Sequence, residues 1–234
     1  MTRAQFSAVL FDMDGVLIQS RQVIERAWTS VARAYGITLT EACIQAHIHG
    51  RPGSYTLDAL FGRVSEAERQ AIKQRVDAEE ETAPCALVPG VAELLDALRH
   101  ARVPLALVTS SWPARIGYVL RQHDLRSAFA TVISRDDVAL GKPHPDSYLL
   151  AARRLEVPIV ECLVFEDSES GVKAAVQSGA LCVGIGGDPT LLRHGASAIY
   201  QDFRGLIPQL ADVPSHYVEL HEPAALVVVK SARP

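Results

Sequence analysis

Apolar residues in this chain recur in two rhythms. Ala8-Val9-Leu10, Leu105 to Val108, Ala130 to Ile133, Cys162 to Phe165 and Leu181 to Ile185 are short unbroken runs. Runs of that length, bounded by polar or turn residues, predict strands buried on both faces. Between them, apolar residues return every three or four positions. Ile24, Ala27, Trp28, Val31 and Tyr35 form one helical stripe closed by Gly36, and Val91, Leu94, Leu95 and Leu98 form another. Further helices are predicted over Pro113 to His123 and from Pro145, with Tyr148, Leu149, Ala152 and Leu155 on one side. A last one runs through Val172, Ala175 and Val176 and stops at Gly179. Strands alternating with helices imply right-handed βαβ units, hence an α/β fold with a parallel sheet covered on both faces.

The alternation lapses over residues 17–86. No strand pattern occurs there, and Ser65 with Glu68 reads as a capping box for a polar helix to about Thr82. Pro84 and then Pro89-Gly90 end the helical pattern. This predicts a helical insertion, residues 17–86, in a core of residues 1–16 and 87–213. A tail, residues 214–234, has no assigned role and either adds a strand or is partly disordered.

With 234 residues, nearly half of them apolar, the chain can bury a sizeable core. A formal charge of -4 without a dense Lys/Arg patch speaks against nucleic acid. Cys43, Cys85, Cys162 and Cys182 are scattered, which disfavours disulfides and zinc. No signal pattern or membrane-length apolar stretch is visible, so a cytoplasmic protein without a membrane partner is expected, with a monomer favoured.

The ends of the predicted strands carry the chemistry. The first ends in Asp12 and Asp14 ahead of Gly15, and the second in Thr109 and Ser110. The segment after the third carries Lys142, and the fourth ends in Glu166-Asp167. Taken singly, each has a plain reading: a D-x-D-G turn, a strand-end cap, a solvated loop lysine, an N-terminal helix cap. Taken in order at consecutive strand ends, they converge on one edge of a parallel sheet. Carboxylates, a hydroxyl and one ammonium suit Mg²⁺ and a phosphate. Asp12 can attack phosphorus, Lys142 and Mg²⁺ can neutralise charge, and Asp14 can exchange a proton with the leaving oxygen and then with water. Thr109 and the amide of Ser110 can hold phosphoryl oxygens.

These residues resemble the four motifs of the haloacid dehalogenase (HAD) superfamily, in its phosphatase and phosphomutase branch. Asp12-Met13-Asp14-Gly15-Val16-Leu17 is similar to the first motif, Thr109-Ser110 to the second, Lys142 to the third, and Phe165-Glu166-Asp167-Ser168 with Gly171 to the fourth. The resemblance implies a Rossmann-like parallel-sheet core with a helical cap inserted after the first motif. It also implies Mg²⁺ held by the Asp12 carboxylate, the Asp14 backbone carbonyl and Asp167, with Glu166 at or beside it. Asp14 argues against a dehalogenase. Lys73, the only lysine between Val16 and Val88, reads as part of a solvated helix face, against phosphonate hydrolysis through a Schiff base. β-Phosphoglucomutases carry a cap histidine where Ile24 stands, and a lysine and arginine near His49 and Gly53. His49-Gly50-Arg51 instead resembles the cap segment of sugar- and polyol-phosphate phosphatases, placing His49 and Arg51 as substrate-binding candidates. Arg51 reads equally as an exposed helix-end arginine. His47 and His49 read as polar lining rather than a metal pair, Gln19 replaces a usual hinge acid, and Trp112 reads as a packed helix-start aromatic, with pocket lining as the alternative. The expectation is a Mg²⁺-dependent phosphomonoesterase of a small sugar or polyol phosphate, with a phosphomutase as the alternative. A phosphorylatable switch domain would lack both the cap and Asp14.

Overall fold

The computed structural model describes residues 4–206 and the segments Tyr217–Leu220 and Val227–Lys230. Two strands open the chain, β1 (Ala4–Phe6) and β2 (Ala8–Phe11). Four helices come next without a strand between them: α1 (Arg21–Ala34), α2 (Glu41–His47), α3 (Gly53–Phe61) and α4 (Glu66–Glu81). The remainder alternates as expected: α5 (Val91–His100), β3 (Leu105–Val108), α6 (Pro113–Gln122), β4 (Thr131–Ile133), α7 (Asp146–Arg154), β5 (Cys162–Glu166), α8 (Glu169–Ser178) and β6 (Leu181–Ile185). β7 (Ala198–Tyr200), β8 (Tyr217–Leu220) and β9 (Val227–Lys230) complete it.

Six strands make a parallel sheet in the order β4-β3-β2-β5-β6-β7. Side-chain alternation assigns its faces. Val9, Phe11, Leu107 and Phe165 pack with Leu94 and Leu98 of α5 and Val119 of α6. Leu10, Val108 and Val164 pack the other way with Tyr148 and Ala151 of α7 and Val172 of α8. Both faces are covered, so the strands are apolar throughout. A fully buried side chain of this size stabilises by about 1.5–3 kcal/mol.

The four helices of residues 21–81 have their own cluster, with Trp28 and Val31 of α1 against Phe61 of α3 and Ile72 and Val76 of α4. Ser65 caps α4 reciprocally with Glu68, as its spacing predicts. Two connections tie this cap to the core, and they pair with each other. Gln19 N donates to Ala86 O at 2.8 Å, Val88 N to Leu17 O at 3.0 Å, and the Gln19 amide to Leu87 O at 2.8 Å. Arg115, fully buried on α6, donates to the carbonyls of Glu80 and Ala83, while His123 Nε2 donates to Cys85 O at 2.8 Å. The returning connection is thereby fastened to the core along its length.

Three features depart from the pattern. β1 and β7 are additional to the expected strands, and β9 pairs parallel with β1 and antiparallel with β8, so the tail does add strands. Residues 207–216, 221–226 and 231–234, which include the rest of that tail, lie outside the described residues. Leu149 and Val176, expected on core-facing stripes, are exposed, since a helix stripe read from sequence is wider than the contact it makes. No helix among the described residues is long and apolar enough to cross a membrane.

Candidate active site

β2 and β5 are neighbours, and the strand order runs outward from them in both directions. Such a switch point leaves a crevice beyond the strand ends. Asp12 continues the alternation of Leu10, and Glu166 that of Val164, so both carboxylates fall on the face covered by α7. Asp12 N donates to Phe165 O at 3.1 Å, which fixes the strand ends together.

Lys142 joins these carboxylates. Its Nζ donates to Asp12 Oδ1 at 2.6 Å, Glu166 Oε1 at 2.6 Å and Val108 O at 3.0 Å, using all three of its protons. Glu166, without any exposed surface, also accepts from Tyr148 OH at 2.6 Å, and its second oxygen accepts from Asp167 N at 3.0 Å and Ser168 Oγ at 3.2 Å. Two glycines make room. A Cβ on Gly171 would lie 1.9 Å from the Glu166 carboxylate, and one on Gly15 would lie 2.0 Å from Asp167 Oδ2.

Asp12, Glu166 and Asp167 present oxygens within 4.8 Å of one another. Burial pushes the Asp12 carboxyl up to about 7, with Glu166 and Asp14 adding to the shift and Lys142 opposing it. Burial, then Glu166 and Asp12, raise Asp167 well above the carboxylate range. Burial works to lower Lys142, but Asp12 and Glu166 outweigh it and hold the ammonium above its usual range. More buried acid than base, all of it oxygen, is a donor set that fits a hard divalent cation such as Mg²⁺.

Asp14 lies beside this group. Its Oδ2 accepts from Ser111 Oγ at 2.9 Å, whereas its Oδ1 is buried and has no hydrogen-bond partner among the described residues. Thr109 is buried; its Oγ1 accepts from Ser111 N at 3.0 Å, which leaves its own proton free to donate. Ser110 is exposed at the mouth. The core candidates Asp12, Asp14, Thr109, Ser110, Lys142, Glu166 and Asp167 are thus assembled at one strand-end edge.

The cap candidates are arranged differently. Gly50 approaches Ser168, a Cβ there lying 3.5 Å from the serine Cβ, so the segment of His49 and Arg51 rests over the strand-end edge. His49 Nε2 pairs with Glu25 Oε1 at 2.5 Å, and Arg51 Nη1 with Glu169 Oε2 at 3.6 Å. Neither joins the carboxylate cluster. His47 stacks on Tyr55, so the two histidines serve different partners.

Lys73 requires a correction. It is not on a solvated face: its ammonium pairs with Asp77 and lies 5.4 Å from the Trp112 ring centroid. Its Cε is 2.9 Å from where a Gly53 Cβ would be. Arg135 lies 4.8 Å from the same ring and also binds Asp77, while the Trp112 indole N–H donates to Glu81 at 2.9 Å. Trp112 therefore links core to cap instead of merely packing a helix start. Nearby Glu80 is pushed up to about 7 by burial and then by Asp14. Sequence reasoning also missed Ser111 and Tyr148. Ser111 adjoins Thr109-Ser110, a usable signal; Tyr148 looked like one more core residue.

Residues 6–179 match the family model for haloacid dehalogenase-like hydrolases. The chain belongs to this family. It is 37% identical over 176 residues to a phosphorylated carbohydrates phosphatase of Thermotoga maritima, covering 74% of this chain and 81% of the relative. With hexitol phosphatase A of Escherichia coli it shares 36% identity over 180 residues, 75% of this chain and 81% of that protein. The β-phosphoglucomutase of Bacillus subtilis is 29% identical over 196 residues, 79% and 85% of the two chains. Among solved structures, a HAD hydrolase of family IA from Entamoeba histolytica superposes with a TM-score of 0.76 at 27% identity, over 84% of this chain and 93% of that one.

Proposed function

We propose that this hydrolase is a Mg²⁺-dependent phosphatase of small phosphomonoesters, sugar or polyol phosphates, acting as a cytoplasmic monomer through a phosphoryl group carried on Asp12. The observation that carries the reading is the Lys142 ammonium bound to Asp12 and Glu166 at 2.6 Å each, beside further carboxylate oxygen in excess. The phosphatases of phosphorylated carbohydrates and hexitols among its relatives support the substrate class.

Asp12, the Asp14 backbone carbonyl and Asp167, with Glu166 at or beside them, would hold Mg²⁺, which when bound supplies positive charge to phosphoryl oxygens. Lys142 fixes the Asp12 carboxylate and offsets anionic charge. The Thr109 hydroxyl and the Ser110 amide hold phosphoryl oxygens. An Asp12 oxygen bonds to phosphorus as the ester P–O bond breaks, and the Asp14 proton passes to the departing alcohol. Asp14 then takes a proton from water, whose oxygen displaces Asp12 and releases phosphate. The cap lies over the site and excludes bulk water.

Phosphate release from a panel of sugar, polyol and other phosphomonoesters, with Mg²⁺ and with chelator, tests this. Release that ignores chelator, or no release, overturns it. The mutase relative supports a second reading, transfer of phosphate between two positions of one sugar. Isomerised hexose phosphate, in place of free phosphate, would establish that reading.

A further inference from the structure

We infer that Asp77 of the cap is a positioning residue that sets specificity. By neutralising two cations beside the site, it fits the site to esters of uncharged, hydroxyl-bearing alcohols and against alcohols that carry a second anionic group. The inference rests on the phosphatase reading above and narrows its substrate class. Trp112 directly follows Ser110 and Ser111, and Arg135 N donates to Ser111 O at 3.1 Å, so both are anchored to the segment that binds Asp14. Lys73 from the cap and Arg135 from the core lie 5.4 and 4.8 Å from the Trp112 ring centroid. The two oxygens of Asp77 divide between them: Oδ1 pairs with Lys73, and Oδ2 with Arg135 Nη2 at 3.2 Å. A Cβ on Gly53 would lie 2.9 Å from Lys73 Cε, so the bare glycine makes room for the lysine stem on its way to the ring.

An aromatic ring attracts each cation, but two cations on one ring repel each other. Asp77 offsets that repulsion and holds both in place. Lys73 and Arg135 keep 28% and 38% of their side chains exposed, so solutes still reach them. The other charged neighbours are acids. Glu81 accepts from the Trp112 indole N–H at 2.9 Å, Asp136 lies 3.7 Å from Arg135 Nε, and Glu80 stands three residues beyond Asp77 on the same side of α4. Two cations against Asp77 and Glu81 balance before Asp136 and Glu80 are counted. A second phosphate or carboxylate on the alcohol therefore gains no net attraction here and meets carboxylates instead. Hydroxyls fare otherwise, because each can donate to a spare carboxylate lone pair and accept from a spare N–H. Without Asp77, the same two cations would be left to attract a distal anion.

Pairs of esters that differ only in a primary alcohol against a carboxylate test this: glycerol phosphate with phosphoglycerate, and hexitol phosphate with the phosphorylated hexonate of the same configuration. With Mg²⁺, wild-type kcat/KM should favour the uncharged member of each pair by about tenfold or more. Asp77→Asn should raise the ratio of anionic to uncharged by about tenfold, chiefly through a lower KM for the anionic member. Combining Asp77→Asn with Arg135→Gln removes one freed cation and should bring the ratio back toward wild type, which loss of a merely structural contact would not do. If Asp77→Asn does not fold, Arg135→Gln alone leaves acid in excess and should widen the wild-type preference by about threefold. A wild-type preference for the anionic members, or a ratio that these substitutions leave unmoved, overturns the inference. Wild-type protein that hydrolyses no phosphomonoester with Mg²⁺ overturns instead the phosphatase reading on which it rests.

Discussion

At the strand-end edge and at the cap rim, the chain sets basic side chains against acidic ones in two different environments. Lys142, Asp12 and Glu166 have side chains 5%, 10% and 0% exposed; those of Arg51 and Glu169, across the rim, are 40% and 37% exposed. Inside, Lys142 and Glu166 are each hydrogen-bonded several times and Asp12 pairs with Lys142, because an unpaired charge would be too costly. On the rim, water screens the pair, and its loss leaves nothing stranded. The same residue types therefore differ in consequence.

Substitutions on either side of that contrast should separate in size. Asp12→Asn should have the largest effect: turnover falls by about a thousandfold or more with the fold retained, read by phosphate release and circular dichroism. Lys142→Met strands two buried carboxylates. It should abolish activity and cost about 3 kcal/mol of stability in chelator, measured by denaturant unfolding.

Glu80, between the two regions, is intermediate. Its folded pKa of about 7 exceeds the ordinary value of 4.5, so the folded state binds its proton more tightly. That stabilisation is complete below the ordinary value and is lost as pH rises through about 7. Glu80→Gln should thus flatten the fall of stability between about pH 5 and 8, gaining about 1 kcal/mol at the upper end. Unfolding curves at both ends check the sign. Arg51→Ala should be the mildest, changing stability by less than about 0.5 kcal/mol. A rise in KM without a matching stability change would place Arg51 at the substrate.

Much of this architecture is legible from residue order. The runs that form β2, β3, β5 and β6 are apolar on both faces because helices cover both. Polar residues immediately after such runs have only the crevice to enter. Ser65-x-x-Glu68 announces α4 because both halves of a capping box are local. β7 is not legible, because Ala198–Tyr200 has neither length nor a distinctive run and is a strand by virtue of pairing with β6. Lys73 misleads for a related reason. Its helix is polar and its partner Asp77 is a local i,i+4 neighbour, but nothing local shows that Trp112 of the core and Gly53 of α3 also meet it.

Residue order alone specifies the α/β class, the helical insertion and the set of acids, hydroxyls and one lysine at the strand ends. Periodicity and strand-end position are short-range properties, which a linear pattern carries in full. The identity of each atom's partner comes from the folded chain: Lys142 between Asp12 and Glu166, Tyr148 on Glu166, Ser111 on one oxygen of Asp14. Those pairings cross 18 to 130 residues of chain and depend on strand order, helix placement and burial, none of which a local pattern contains.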